Sequence, residues 1–494
     1  MAGFSRPSPS LLSLPGELLA AVASLLDDPA DRARLELTCR AAAAAGNARG
    51  LSMGPHLDAI GIHTTLTRLE LRKCGLVSLP AAFSGLSALC HLDLSSNEDL
   101  KHGWEHLACL AALTRLDMSF SGPPAAVPRQ CRLLGSASFT RLRSLSLGIL
   151  TDDHASEEGE RLNPAPLPRD FLPRFPQLSS LELTEWERGA LPSPLSSLTA
   201  LRSLSLDVCG LAEGTLDHLP RQLTSLTLSA CGLRHMPGQL SRLTSLRSLN
   251  MRLNDIASWG PLASLGSLTN FSFGSLGITS TPTELCALSA LQELDMSSAW
   301  NLSSGISQLS CCGRLTRLQA DYCNSKPIEE VGTLSSLRVL SLKGSCWGSG
   351  YTNNAAGLLA ISGLHHLEEL NLAQACLAQV PPAIAALSRL TCLDMSWTRG
   401  LVSGWQHLAG LGSRLVSLDL SSSALATIPP EMSCLIALQR LRLDEMPALS
   451  RSTAPGWQHL LPLTRLVHLS LLQCDLVRLP PELAPLHERM RIRF

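Results

Sequence analysis

Leu466-Val467-His468-Leu469-Ser470-Leu471-Leu472-Gln473-Cys474-Asp475-Leu476 opens a phrase that closes on Leu479-Pro480-Pro481, and nearly everything after residue 65 restates it. Written generally, it is Leu-x-x-Leu-x-Leu-x-x-(Cys/Asn/Ser)-x-Leu, then a Pro-marked turn and another apolar pair. It begins at residues 66, 89, 113, 142, 178, 201, 223, 246, 268, 291, 315, 337, 367, 390, 415, 438 and 466, seventeen copies at intervals that are mostly 22 to 25 residues. Each copy holds one alternating run. In Leu223-Thr224-Ser225-Leu226-Thr227-Leu228 the period of two sends Leu226 and Leu228 inward and Ser225, Thr227 and Ser229 outward, the signature of a half-buried strand.

A repeat of this length with one short strand per copy is the leucine-rich-repeat period. Strands stacked in parallel satisfy each other's backbone groups and line one surface with the non-consensus side chains. The fold class expected is therefore α/β: a leucine-rich-repeat solenoid, a horseshoe with a parallel concave sheet, preceded by a small all-α segment. The position of Cys74, Asn97, Cys231 or Asn254 falls where the chain leaves the strand, and it calls for a small side chain that bonds or packs beneath the turn. Several copies descend through Pro (Leu79-Pro80, Met236-Pro237, Val380-Pro381-Pro382, Ile428-Pro429-Pro430), as in the short Leu-Pro class of repeat. Others carry Gly-Trp-x-His-Leu, at Gly103–Leu107, Gly404–Leu408 and Gly456–Leu460; lying on the return arm, Trp104, Trp405 and Trp457 are expected to pack there rather than bind a ligand.

Charge is 16% of the chain, below the ~25% usual for soluble domains, and forty basic against forty-one acidic side chains leave a net −1. No global field draws in nucleic acid or an anionic membrane, so partners must be selected locally. No apolar run approaches the ~20 residues of a membrane span. The run Leu18 to Leu26 leads into Asp27-Asp28 rather than a small-residue cleavage site. Sixteen cysteines are spread along the chain, with Cys74, Cys209, Cys231, Cys323 and Cys474 at one repeat position. This reads as packing rather than bridging, and hence as a reducing, cytoplasmic or nuclear compartment.

Four segments are expected: a tail over 1–12, a helical domain over 13–47, a junction or cap over 48–65, and the repeats over 66–494. In the second, Leu18, Val22, Leu25 and Leu26 share one helix face, Asp28 caps a second helix with Pro29 at its first position, and Gly46-Asn47 ends it. Leu14-Pro15-Gly16-Glu17-Leu18-Leu19, Val22, Leu25, Leu26, Asp28, Pro29, Asp31, Leu35, Leu37 and Cys39-Arg40 together resemble an F-box, with Ala42 where that family usually carries Trp. The resemblance implies docking on the Skp-family adaptor of a cullin-RING ubiquitin ligase through Leu14, Pro15, Leu18, Leu19, Val22, Leu25, Leu26 and Leu35, with the repeats holding a protein substrate. The bottom-up alternative for 13–47 is a cap on the N-terminal end of the repeats, which terminal repeats need for solubility.

The chain lacks Gly-x-x-x-x-Gly-Lys-(Ser/Thr), a strand-borne Gly-x-Gly-x-x-Gly, His-Glu-x-x-His and Gly-x-Ser-x-Gly. No catalytic residue, cofactor or metal is expected; His365-His366 beside Glu368-Glu369 is the nearest approach to a ligand set, and adjacent histidines diverge. Outward strand positions carry acids at Asp93, Asp117, Glu182, Asp207, Asp295, Asp321, Asp394, Asp419 and Asp444, and bases at Arg68, Arg72, Lys73, Arg440 and Arg442. Aromatics are 4% of the chain, so Phe120, Tyr322 and Trp397 at outward or strand-exit positions, with Asp321 and Asp394, are the candidate partner-binding residues. Two long intervals add an acidic stretch (Asp152 to Glu160) and a Trp347/Tyr351 loop. The function expected is substrate recruitment in a cullin-RING ligase; the alternative is a non-catalytic scaffold for signalling, cytoskeletal or ciliary complexes.

Overall fold

The computed structural model describes residues 66–493 apart from stretches at 123–138, 149–170, 186–194, 212–213, 215, 275–276, 303, 324–330, 346–356, 424, 453–454 and 488–490. The F-box-like segment with Leu14 to Leu35, the tail, the junction over 48–65, the acidic stretch and the Trp347/Tyr351 loop lie outside the described residues.

Every copy of the phrase becomes one short strand. Those of a first unit, Met1–Gly232, are β1 (Arg68–Glu70), β2 (His91–Asp93), β3 (Arg115–Ser119), β4 (Ser144–Gly148), β5 (Ser180–Thr184), β6 (Ser203–Asp207) and β7 (Ser225–Ser229). A second unit, Leu233–Phe494, holds β8 (Ser248–Asn250), β9 (Asn270–Ser272), β10 (Glu293–Asp295), β11 (Arg317–Gln319), β12 (Val339–Ser341), β13 (Glu369–Asn371), β14 (Cys392–Asp394), β15 (Ser417–Asp419), β16 (Arg440–Arg442), β17 (His468–Ser470) and β18 (Arg491–Arg493). Within each unit consecutive strands pair in parallel, mostly with leucine opposite leucine: Leu116 with Leu145 and Leu145 with Leu181, Leu393 with Leu418 and Leu418 with Leu441. β18 is an eighteenth strand that the seventeen-fold count omits, because Ile492 stands where the other strands carry leucine or phenylalanine.

The register is held by burial. Leu226 and Leu228 are fully buried while Ser225 and Thr227 are half-exposed. At roughly 1.5–3 kcal/mol per buried aliphatic side chain, a slip of one residue would forfeit the core contribution of both leucines and is excluded. Backbone pairing continues past the strands: Phe120 N–H donates to Gly148 O at 3.0 Å, Tyr322 to Lys343 O at 2.6 Å and Trp397 to Ser421 O at 2.7 Å. To make that bond and then turn away, the residue enters the left-handed region, with φ of 58° at Phe120, 54° at Tyr322 and 60° at Trp397. The same conformation recurs at Lys73, Ser96, Glu185, Leu253, Gln374 and Glu445.

The corner residue then works as its chemistry predicts. Asn97 Oδ1 accepts from Cys74 N–H at 3.0 Å and Leu76 N–H at 3.1 Å, and its Nδ2 donates to Leu94 O at 2.6 Å and Leu71 O at 2.9 Å. Where cysteine replaces it, the thiol donates to the equivalent carbonyl, from Cys231 to Leu206 O at 3.2 Å and from Cys323 to Met296 O at 3.2 Å. Burial pushes both thiols up to about 12, which keeps them protonated and unreactive.

The return arms are mostly 3-10 turns. Gly103, Gly404 and Gly456 start three of them with φ near 80°, and a Cβ on Gly103 would lie 2.0 Å from Leu79 O. The following Trp104, Trp405 and Trp457 are buried, as return-arm packing requires. One expectation is corrected here. Cys286 and Cys311, both exposed on consecutive return arms, form a disulfide with Cα atoms 5.2 Å apart, and Cys376 is disulfide-bonded too. The 25-residue separation of Cys286 and Cys311, one repeat, is what lays them side by side.

Candidate ligand-binding face

The leucines spend one side of every strand on the core, so the other side is relieved of packing. On this open face the second unit has a groove of about 740 Å³ across β11–β18, lined among others by Arg317, Gln319, Glu369, Asn371, Asp394, Ser417, Asp419, Arg440, Arg442, Asp444, His468, Ser470, Arg491 and Arg493.

The acids of the face have a local task that sequence reasoning missed. Asp93, Asp117, Asp295, Asp394 and Asp419 each accept the backbone N–H two residues on, from Ser95, Ser119, Ser297, Ser396 and Ser421, at 2.8 to 3.0 Å. Asn250 and Asn371 make the same bond to Arg252 and Ala373 N–H. An Asp-x-Ser spacing therefore marks strand-end chemistry first, leaving one carboxylate oxygen for anything else.

Of the residues singled out from sequence, Asp394 lines the groove. Asp321 lies at the exit of β11, where its carboxylate accepts from Ser341 Oγ at 2.5 Å and Lys343 N–H at 3.0 Å. Tyr322 stacks on Trp300 at 6.1 Å between ring centroids, lies 5.9 Å from Lys343 Nζ and donates its hydroxyl to Gln374 at 3.2 Å. Trp397 is 43% exposed with the Arg399 guanidinium 5.9 Å from its ring. Phe120, half-buried, belongs to the first unit, so the five candidates do not form one cluster.

Arg442 is ion-paired within the groove, whereas Arg440, Arg491 and Arg493 make no ion pair among the described residues. Arg442 bonds Asp419 and Asp444, both at 3.2 Å. Burial pushes the Asp419 carboxyl up, with Asp394 adding to the rise and Arg442 opposing it, while Asp419 holds the Arg442 guanidinium further above its ordinary value. In the first unit burial also raises Asp117, with Asp93 and Glu182 adding to the effect. Arg491 and Arg493 on β18 are exposed and face the groove. Their signal was present, since Arg491-Ile492-Arg493 repeats the alternation of Arg440-Leu441-Arg442. Among the described residues, no group of three or more His, Cys, Asp or Glu is arranged to hold a metal ion, and no helix is long and apolar enough to cross a membrane.

Strand register, corner residues and an open polar face define a chain of leucine-rich repeats, whose stacked copies present one extended surface. The family model described as leucine rich repeat matches residues 64–121. Transforming growth factor beta activator LRRC32 of Pongo abelii is 29% identical over 147 residues, 29% of this chain and 22% of that protein. Its Mus musculus counterpart is 29% identical over 158 residues, 31% of this chain and 22% of that one. The chain thus spans about a fifth of the length of the curated relatives it matches. Among solved structures, the Leptospira interrogans leucine-rich-repeat protein LIC12759 aligns over 99% of this chain and 100% of its own at 20% identity with a TM-score of 0.46. The mouse RP105/MD-1 complex aligns over 87% of this chain and 67% of that one at 18% identity with a TM-score of 0.48.

Proposed function

We propose that this protein is a non-catalytic scaffold that captures a protein ligand on the open face of its second unit, within the groove over β11–β18. The observation that carries the reading is the groove itself: its outward side chains are spared from the core, and the same unit carries Tyr322 and Trp397, residue types enriched at interface hot spots, at the exits of β11 and β14. Trp397 separates binding from folding. At φ 60° a non-glycine residue carries roughly 1–3 kcal/mol of strain, and in Trp397→Gly the relief of that strain offsets the loss of the ring's buried part, so the variant is expected to stay folded while lacking the ring. Affinity capture from the native source, wild type beside Trp397→Gly, is expected to show a discrete set of partners lost with the ring; identical sets from both would remove Trp397 from the interface.

A second reading rests on the F-box resemblance of Leu14 to Arg40, in which the same groove holds a substrate for a cullin-RING ligase in the cytoplasm or nucleus. The Cys286–Cys311 pair favours the scaffold reading, because disulfides persist in oxidising compartments and the ligase works in a reducing one. Binding of a Skp-family adaptor that is abolished by Leu14→Ala with Leu18→Ala would reverse that preference. Peptide mapping of the unreduced native protein tests the pairing itself.

A further inference from the structure

The scaffold reading leaves the ligand's chemistry open, and the end of the groove supplies it. Strand register sets Arg440, His468 and Arg491 side by side in one outward column and Arg442, Ser470 and Arg493 in the next. Arg442 is held by Asp419 and Asp444. Arg440, Arg491 and Arg493 are exposed and make no ion pair among the described residues. Like charges on neighbouring strands repel and destabilise a sheet, so three guanidiniums without an ion pair around a histidine add nothing to the fold, and an anion brought from outside relieves their repulsion. The chain as a whole is close to neutral at −1, so the patch is a local feature.

We infer that β16–β18 form a receiving site for an acidic peptide segment of the protein ligand. The inference rests on the scaffold reading. Arg440 and Arg491 are two strand spacings apart, about 10 Å. Carboxylates three residues apart on a polyproline-II segment, with three residues per turn and a rise of about 3.1 Å, share one face about 9 Å apart, so an acid-x-x-acid segment in that conformation crossing the strands meets both guanidiniums. Asp394 and Asp419, further along the same groove, repel a continuation of that charge, so the ligand changes to neutral or basic residues over β14 and β15. Fork-shaped guanidiniums match carboxylates in two-point contact, which favours a peptide over a ligand that supplies charge alone.

The test uses the full chain and a fluorescein-labelled peptide with glutamates in Glu-x-x-Glu spacing, read by anisotropy at low salt. Its controls are the same peptide with glutamine for glutamate and a sulfated oligosaccharide of matched charge. The acidic peptide is expected to bind, to weaken as salt rises, and to weaken about tenfold in Arg491→Gln with Arg493→Gln. Arg338→Gln, which breaks an exposed ion pair with Glu368 at 3.1 Å outside the groove, is expected to leave binding unchanged. Unfolding curves establish that both variants are folded. The inference is overturned if wild type ignores the acidic peptide, if the double variant binds it equally well, or if the oligosaccharide binds more tightly than the peptide. Loss of this inference alone shows as native partners still captured through Trp397 with no peptide affinity; loss of the scaffold reading shows as no captured partner at all.

Discussion

The corner beneath each strand and the open face above it are built from the same repeat, and they obey different rules. At the corner the partners are backbone groups in fixed positions, so Asn97, Cys231 and Cys323 bond equivalent carbonyls. On the open face the backbone claims only one oxygen of Asp117 or Asp419, through the N–H two residues on, and leaves the rest of the position free, so it holds Asp117 in the first unit and Asp419, Arg442 or Ser470 in the second. What the backbone dictates repeats; what it leaves free varies.

The contrast can be broken most forcefully at the corner. Asn97→Ala strands two N–H donors and two carbonyls in the core, so the first unit is expected to lose about 4 kcal/mol by denaturant unfolding. Cys323→Ala removes weaker thiol bonds and should cost about 1 kcal/mol. Equal losses would mean that the asparagine bonds add nothing over simple packing. On the open face the largest stability effect is expected from Arg442→Ala, which leaves Asp419 and Asp444 unpaired. The arginine is 61% exposed, so screening limits the cost to about 1 kcal/mol, shrinking as salt rises.

Asp117 gives the smallest effect and the opposite sign. Burial raises its folded-state pKa, so the folded chain holds the proton more tightly than the unfolded one and ionisation costs stability at neutral pH. Stability contributed by this group rises as pH falls through the raised value toward the ordinary carboxylate pKa near 3.9. Asp117→Asn should stabilise the first unit by about 0.5 kcal/mol at pH 7 and flatten that acid-side rise, since Asn250 and Asn371 already make the same bond elsewhere. A loss of stability at pH 7 would mean that the carboxylate bond to Ser119 outweighs its desolvation.

This difference also decides what could be read in advance. The leucine period placed seventeen strands, the corner residues and the buried return-arm tryptophans, because each is set by a local pattern and a backbone demand. β18 escaped notice because a leucine-keyed pattern passes over Ile492, and Arg491 and Arg493 went with it. The Cys286–Cys311 pair was missed because a one-repeat spacing puts residues in contact through stacking, not through sequence proximity. Asp394 was chosen for its outward position, which the structure bears out, but its bond to Ser396 N–H shows that an outward acid has a structural duty before any binding duty. Phe120, Tyr322 and Trp397 share a strand-exit conformation rather than a site, and an aromatic count alone does not distinguish the two.

The central claim is that ligand sits in the groove of the second unit, and site-specific photo-crosslinking tests it most directly. A photoreactive side chain placed at Ser417 in the groove, or at Arg242 on an exposed return arm, reports which face a native partner touches. The account predicts crosslinked partner from position 417 and none from 242; crosslinks from 242 with none from 417 would contradict it.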